Sequence, residues 1–153
     1  MSFIASDLTL KPFGSMVKPF YQDEYATIEL NDDIPCIKVT LVGVPRYSEH
    51  YQHVQNKRME LMNREIKNYP KLHMLTDSSL AGPVLDEDVA YFKNSVLPQI
   101  ERAGIRYLAI VMPRNKFTQL TIREMTEQTN ALTVRFFESL REARHWLKKM
   151  TLA

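Results

Sequence analysis

The chain has 153 residues, 44% of them hydrophobic and 25% charged, a composition that suits one globular domain and excludes a disordered, collagen-like or fibrous protein. Twenty Lys and Arg against 18 Asp and Glu leave a formal charge of +2, too balanced for a dedicated nucleic-acid binder, so no nucleic-acid partner is expected. The single cysteine, Cys36, can build neither an internal disulfide nor a thiolate metal site, no apolar run approaches the ~20 residues of a membrane span, and the first ten residues hold Asp7 but no Lys or Arg; a cytoplasmic location without a transmembrane segment is expected.

In chain order, residues 1–20 read as an irregular N-terminal arm. Phe3, Ile4, Leu8, Leu10, Phe13, Val17 and Phe20 share no period and are interrupted by Pro12, Gly14 and Pro19. Such apolar residues do not suit a solvated tail, so the arm is expected to pack on the body or to join copies into a homo-oligomer. Residues 21–153 then read as one α/β domain. Tyr25–Leu30 alternates and Ile34–Val44 is rich in β-branched residues, with Asn31-Asp32-Asp33 between them as a turn, which together predict a β-hairpin. Tyr47–Tyr69 carries apolar residues three and four apart (Tyr47, Tyr51, Val54, Leu61, Met62, Ile66, Tyr69), with Lys57, Glu60, Arg64 and Lys67 opposite; this predicts a helix started at Ser48 and stopped by Pro70.

Leu72–Thr76 predicts a short strand, and Asp77–Pro83, polar and rich in breakers, a loop. A helix follows from Asp86, its acidic first turn suited to the helix dipole, to Ala103; Gly104 closes it and Pro98 should bend it. Tyr107–Met112 has no charge and is expected at the centre of the sheet. A helix over 116–129 with Phe117, Leu120 and Met125 inward, a strand over 133–137 and a last helix opened by the capping box Ser139-Leu140-Arg141-Glu142 complete the chain. Leu140, Ala143, Trp146, Leu147 and Met150 form the apolar face of that helix. The order β-β-α-β-α-β-α-β-α calls for a single-domain, mixed, mainly parallel five-stranded sheet with an N-terminal β-hairpin and four helices.

Leu72–Leu147 resembles the STAS-like, or SpoIIAA-like, bacterial proteins, and more closely the subgroup linked with the lipid-binding CRAL-TRIO fold. The likeness is carried by His73-Met74-Leu75-Thr76-Asp77, the Pro98 helix ending in Ala103-Gly104, Leu108–Pro113, and Phe136–Leu147. It implies a STAS-like fold acting as a regulatory or protein-interaction module. In the founding antagonists a serine beside an aspartate is phosphorylated, and Asp77-Ser78-Ser79 is similar in residue types, which makes Ser78 and Ser79 the implied phosphorylation positions. The triplet falls after an earlier strand than the family's phosphoserine, and the Gly-Leu that follows that serine is missing here.

No catalytic constellation is found. There is no Gly-x-Ser-x-Gly elbow, no Walker loop and no dinucleotide fingerprint, and four glycines leave little for a phosphate cradle, so no enzyme activity and no cofactor are expected. His50 and His53 have metal-ligand spacing but no third ligand, and read as partly exposed histidines on a helix surface. His73 and His145 have no partner visible in the sequence, and Cys36 reads as a buried inert thiol. Arg141, Arg144, His145, Lys148 and Lys149 either meet an acidic partner or anionic lipid or serve the C-terminal half of their helix, the latter being favoured. In a mainly parallel sheet, ligands bind where the carboxyl ends of the strands share an edge. That edge gathers Arg46 and Tyr47, Asp77, Ser78 and Ser79, and Arg114 and Asn115, two arginines near a carboxylate and two hydroxyls that suit a phosphate or an acidic side chain. A non-enzymatic module with a protein partner is the leading expectation, and a small apolar-ligand or lipid binder the alternative.

Overall fold

A computed structural model describes residues 9–10 and 16–153, with side chains from Lys18 onward. Thr9–Leu10 (β1) and Met16–Val17 (β2) pair as a short antiparallel ladder. The proposed oligomerisation through the arm rests on Phe3, Ile4, Leu8, Leu10, Phe13, Val17 and Phe20, and all of these side chains except that of Phe20 lie outside the described residues. The arm's last residue, Phe20, packs on the body, its ring under the Arg64 guanidinium at 4.8 Å.

Six strands form the main sheet in sequential order: Tyr21–Gln22 (β3), Ala26–Asn31 (β4), Cys36–Gly43 (β5), His73–Ala81 (β6), Tyr107–Val111 (β7) and Thr133–Phe137 (β8). The first two pairings are antiparallel and the remaining three parallel. The strand beyond the five expected is β3, whose two paired residues are too few to show a period of two. The uncharged strand β7 is buried as expected but lies one strand in from the β8 edge rather than at the centre.

Ser48–Glu65 (α1), Asp86–Tyr91 (α2) with Leu97–Arg102 (α3), and Lys116–Thr126 (α4) make the three crossovers, and Leu140–Leu152 (α5) follows β8. Each crossover steps one strand in the same direction. With the usual right-handed connection, that places α1 to α4 on one face. The packing agrees: Ile37, Val39, Met74, Leu108 and Ile110 join residues of α1 to α4 in one apolar layer, while Cys36, Leu75, Ala109 and Val111 meet Ala143, Trp146 and Leu147 of α5 in the other.

Pro98 does more than bend its helix. The turn before it, Phe92–Val96, is π-helical, with the Leu97 amide donating to the Phe92 carbonyl five residues back. The wider turn takes up the proline, which has no amide to give, at the start of α3. Gly104, at φ +91°, supplies the left-handed residue that closes α3. At α5 the Ser139 hydroxyl accepts from the Glu142 amide at 3.2 Å, and the Glu142 carboxylate returns to the Ser139 hydroxyl instead of its amide.

Three sequence expectations are corrected here. Asp77, Ser78 and Ser79 lie in β6, which runs nine residues to Ala81, and not in a loop. Phe117 and Leu120 of α4 face solvent at 81% and 63% exposure, while Thr118, Ile122, Met125 and Thr126 face inward. Tyr47, counted into the core face of α1, is also exposed, and Ser48 makes no cap bond there.

Candidate functional site

The carboxyl ends of β5 and β6 run side by side past the body of the sheet. Val42 pairs with Leu80 and Gly43 with Ala81, and the Gly82 amide donates to the Gly43 carbonyl at 2.8 Å. Gly82 has to be small, because a Cβ there would lie 2.8 Å from the Val44 side chain. Apolar side chains crowd this edge in the open. Val42, Val44 and Tyr47 flank the end of β5, Leu80 and Leu85 the end of β6, and Phe117 and Leu120 stand on α4 just after β7; all are 47% exposed or more, and among the described residues only Leu152 is a large exposed apolar residue elsewhere.

Beneath the edge lies a partly open cavity of about 50 Å³, lined there by Gly43, Pro45 and Ala81–Val84. Leu41, Phe92, Ile110, Ile122 and Met125 give it an apolar wall. Its polar lining comes from Tyr25 and Tyr51, from Gln55 and Arg58 of α1, from Ser78 of β6 and from Asp88 of α2. Arg58 is 1% exposed, yet among the described residues its Nε and Nη1 have no hydrogen-bond partner, and neither has Gln55 Oε1. The Arg58 Cζ lies 5.9 Å from the centroid of the Phe92 ring, and Tyr25 and Tyr51 line the cavity beside it. Burial pulls the Arg58 pKa down to about 10 and pushes those of Tyr25, Tyr51 and Asp88 upward.

The residues singled out in the sequence come to this edge but engage locally. Arg46 donates to Glu24 Oε1 at 2.6 Å. Asp77 Oδ1 accepts from the Ser79 amide and hydroxyl at 3.1 and 2.7 Å. Asn115 N-caps α4, accepting from the Phe117 and Thr118 amides. Arg114 is exposed, and no ion pair joins it or Arg46 to Asp77 among the described residues. Ser78 is buried at the cavity and Ser79 lies at the surface.

His50 is the correction among the histidines, being 3% exposed. Its Nδ1 accepts from the Arg46 amide at 3.0 Å, so its Nε2 carries the proton and donates to Asp23 Oδ2 at 2.7 Å. Asp23 also accepts from the Tyr21 hydroxyl and from the amides of Tyr25 and Ala26. Burial would raise the Asp23 pKa, but these donors outweigh it and hold it at about 2. With both ring nitrogens occupied, His50 fastens the β3–β4 turn to α1 rather than acting as a base. His53 is exposed, and no group of three His, Cys, Asp or Glu side chains able to hold a metal meets among the described residues. Cys36 is buried under α5, where desolvation pushes its thiol up to about 12. On the outside of α5, Arg144 pairs with Asp33 at 2.6 Å and donates to Asn31, so part of the basic cluster serves to hold the hairpin.

The polar cavity lining on α1 was missed in the sequence, although a signal exists. The stripe Tyr51, Val54, Arg58, Met62 has spacings of three and four, with Gln55 beside it, so the buried face of α1 passes through a glutamine and an arginine.

Comparison with known proteins places the fold. No family model matches the chain, and no curated protein does. Among solved structures, an uncharacterized DUF3478-family protein from Shewanella loihica PV-4, described as having a SpoIIAA-like fold, matches with a TM-score of 0.52 at 18% identity, over 80% of this chain and 91% of that one. The fold is SpoIIAA-like, as the sequence resemblance implied. No helix of the described residues is long and apolar enough to cross a membrane.

Proposed function

We propose that the chain is a non-enzymatic interaction module that docks a protein partner through the carboxyl edge of its sheet. The observation that carries this is the gathering of exposed apolar side chains at that one edge, from Val42 and Val44 across Leu80 and Leu85 to Phe117 and Leu120. Scattered exposed apolar residues are ordinary on a soluble protein, whereas a contiguous group marks a surface that is covered in use. Four helices, α1, α2, α4 and α5, also begin at this edge, so its loops and first turns are fixed by rigid elements and present one face to a partner. The hydroxyls and thiol that a covalent catalyst would need are engaged or buried: Ser79 bonds Asp77, Ser78 faces the cavity and Cys36 lies under α5.

A photo-crosslinking side chain placed at position 117, and in a control at the exposed Leu152 on α5, tests the reading in living cells. A discrete protein adduct several-fold stronger from position 117 is expected. Equal yields from both positions, or none from 117, overturn it. Phe117→Ser with Leu120→Ser is expected to change stability by less than about 0.5 kcal/mol per site, as exposed positions do.

The cavity beneath the edge favours a second reading, capture of a small ligand. Its volume of about 50 Å³ is far short of an acyl chain, which separates this reading from lipid binding.

A further inference from the structure

We propose that the cavity under Arg58 is a binding site for a small organic monocarboxylate with an apolar body of a few carbon atoms, the carboxylate seated on the Arg58 guanidinium. This rests on the small-ligand reading of the cavity and does not depend on the docking edge.

Arginine is almost never fully buried unless paired, because an unpaired charge in the interior forfeits its hydration without return. Arg58 is 1% exposed, two of its nitrogens have no partner, and no carboxylate of the described residues forms an ion pair with it. Asp88 lines the same cavity, but its carboxylate is met by the Ser48 hydroxyl and not by Arg58. The two groups that would satisfy each other are thus held apart by the fold, Arg58 on α1 and Asp88 at the start of α2, with the cavity beside both. Removing the charge is also the simpler route to a stable core, since apolar replacements of buried charged groups are commonly neutral or stabilising. A guanidinium kept there against stability points to an anion that enters.

Chemistry and size narrow that anion. A guanidinium matches a planar carboxylate with two parallel hydrogen bonds. No lysine and no second arginine lines the cavity, which disfavours a phosphate or dicarboxylate bringing two negative charges. The volume of about 50 Å³ suits a few water molecules or a ligand of a few heavy atoms, and so favours these over nucleotides, sugars and long acyl chains. Leu41, Phe92, Ile122 and Met125 on the remaining wall ask for an apolar body behind the charged head.

The test uses butyrate as probe, with butyramide as its neutral isostere and inorganic phosphate and decanoate as competing classes, each titrated into the full chain by calorimetry and by ¹⁵N–¹H spectroscopy. Saturable butyrate binding is expected, at least tenfold tighter than that of butyramide, with a shift of the buried Arg58 Nε–H resonance. Arg58→Met is expected to fold with an unchanged or higher melting temperature and to lose the butyrate response. The wild-type Nε–H resonance decides the matter even if that variant fails to fold. Equal binding of butyrate and butyramide, a response retained in Arg58→Met, an unmoved Nε–H peak at saturation, or binding of phosphate or decanoate in place of butyrate would each overturn the proposal.

Discussion

His50, His73 and Arg58 are polar side chains held inside apolar layers with decreasing success, and the difference has consequences that can be measured. His50 has a partner on each nitrogen. His73, 2% exposed, has only one: its Nε2 meets the Thr151 hydroxyl at 2.7 Å, and that hydroxyl has backbone carbonyls of Ile34 and Leu147 within reach as acceptors. The hydroxyl proton goes to a carbonyl, so His73 donates from Nε2, and its Nδ1 stays unpartnered. Protonation would place an N–H at Nδ1 with no acceptor. Burial, with a smaller contribution from Lys71, accordingly pulls the His73 pKa down to about 4. The unfolded chain takes up this proton near pH 6.5 and the folded chain only near pH 4, so the linked stability is complete above pH 6.5 and is lost as the pH falls between those values. Urea unfolding at pH 7.5 and 4.5 should show a decrease of roughly 2–3 kcal/mol in the wild type. His73→Gln keeps an amide donor for Thr151 without titrating, and should remove most of that decrease; an equal decrease in both proteins would discount His73 as its source.

At the level of elements, composition misled where polar residues build structure and where large apolar ones do not. β6 looked finished at Thr76 because Asp77-Ser78-Ser79 reads as a turn, yet Thr76 and Ser78 continue the inward alternation of a strand toward the cavity. In α4 the assumption that Phe and Leu face inward selected Phe117 and Leu120, whereas the buried side uses Thr118 and Thr126, the latter spending its hydroxyl on the Ile122 carbonyl at 3.1 Å. Long-range tethers leave no pattern at all. Glu101 of α3 accepts the successive amides of Asn130, Ala131 and Leu132 on one oxygen at 2.8, 2.8 and 3.1 Å, which ties the turn between α4 and β8 to the helix before β7. Burial opposes its ionisation, but these donors prevail and lower the Glu101 pKa. Glu101→Ala should destabilise the protein by about 1.5–3 kcal/mol, the range for bonds to a charged acceptor. It should also raise hydrogen exchange at those amides first; exchange unchanged at 130–132 would rule out the tether.

For the whole molecule, the α/β class and the succession of strands and helices were the most legible properties, because strands alternating with helices call for a mainly parallel sheet, whereas the strand order was not. The chemistry of the cavity was less legible, since it arises from α1, α2, β5, β6 and α4 meeting under an edge, a convergence no local period reports. The winding also leaves the sheet unevenly covered. Among the described residues, twenty-five buried apolar residues make up the layer beneath α1 to α4, against eight in the layer closed by α5. Apolar burial scales with area removed from water, so the α5 layer contributes much the smaller share, and α5 is held otherwise by local ties such as Arg144–Asp33. Opening of α5 should therefore cost less than global unfolding and precede it. The single Trp and single Cys of the chain sit across this layer, Trp146 on α5 and Cys36 on β5 beneath it. As urea is raised, Trp146 emission and Cys36 reactivity toward a thiol reagent should both change before the far-ultraviolet circular dichroism does. The urea dependence of labelling should be clearly shallower than that of global unfolding, because less surface is exposed. If all three transitions coincide, with equal urea dependence, the two layers unfold as one cooperative unit and the uneven covering has no energetic counterpart.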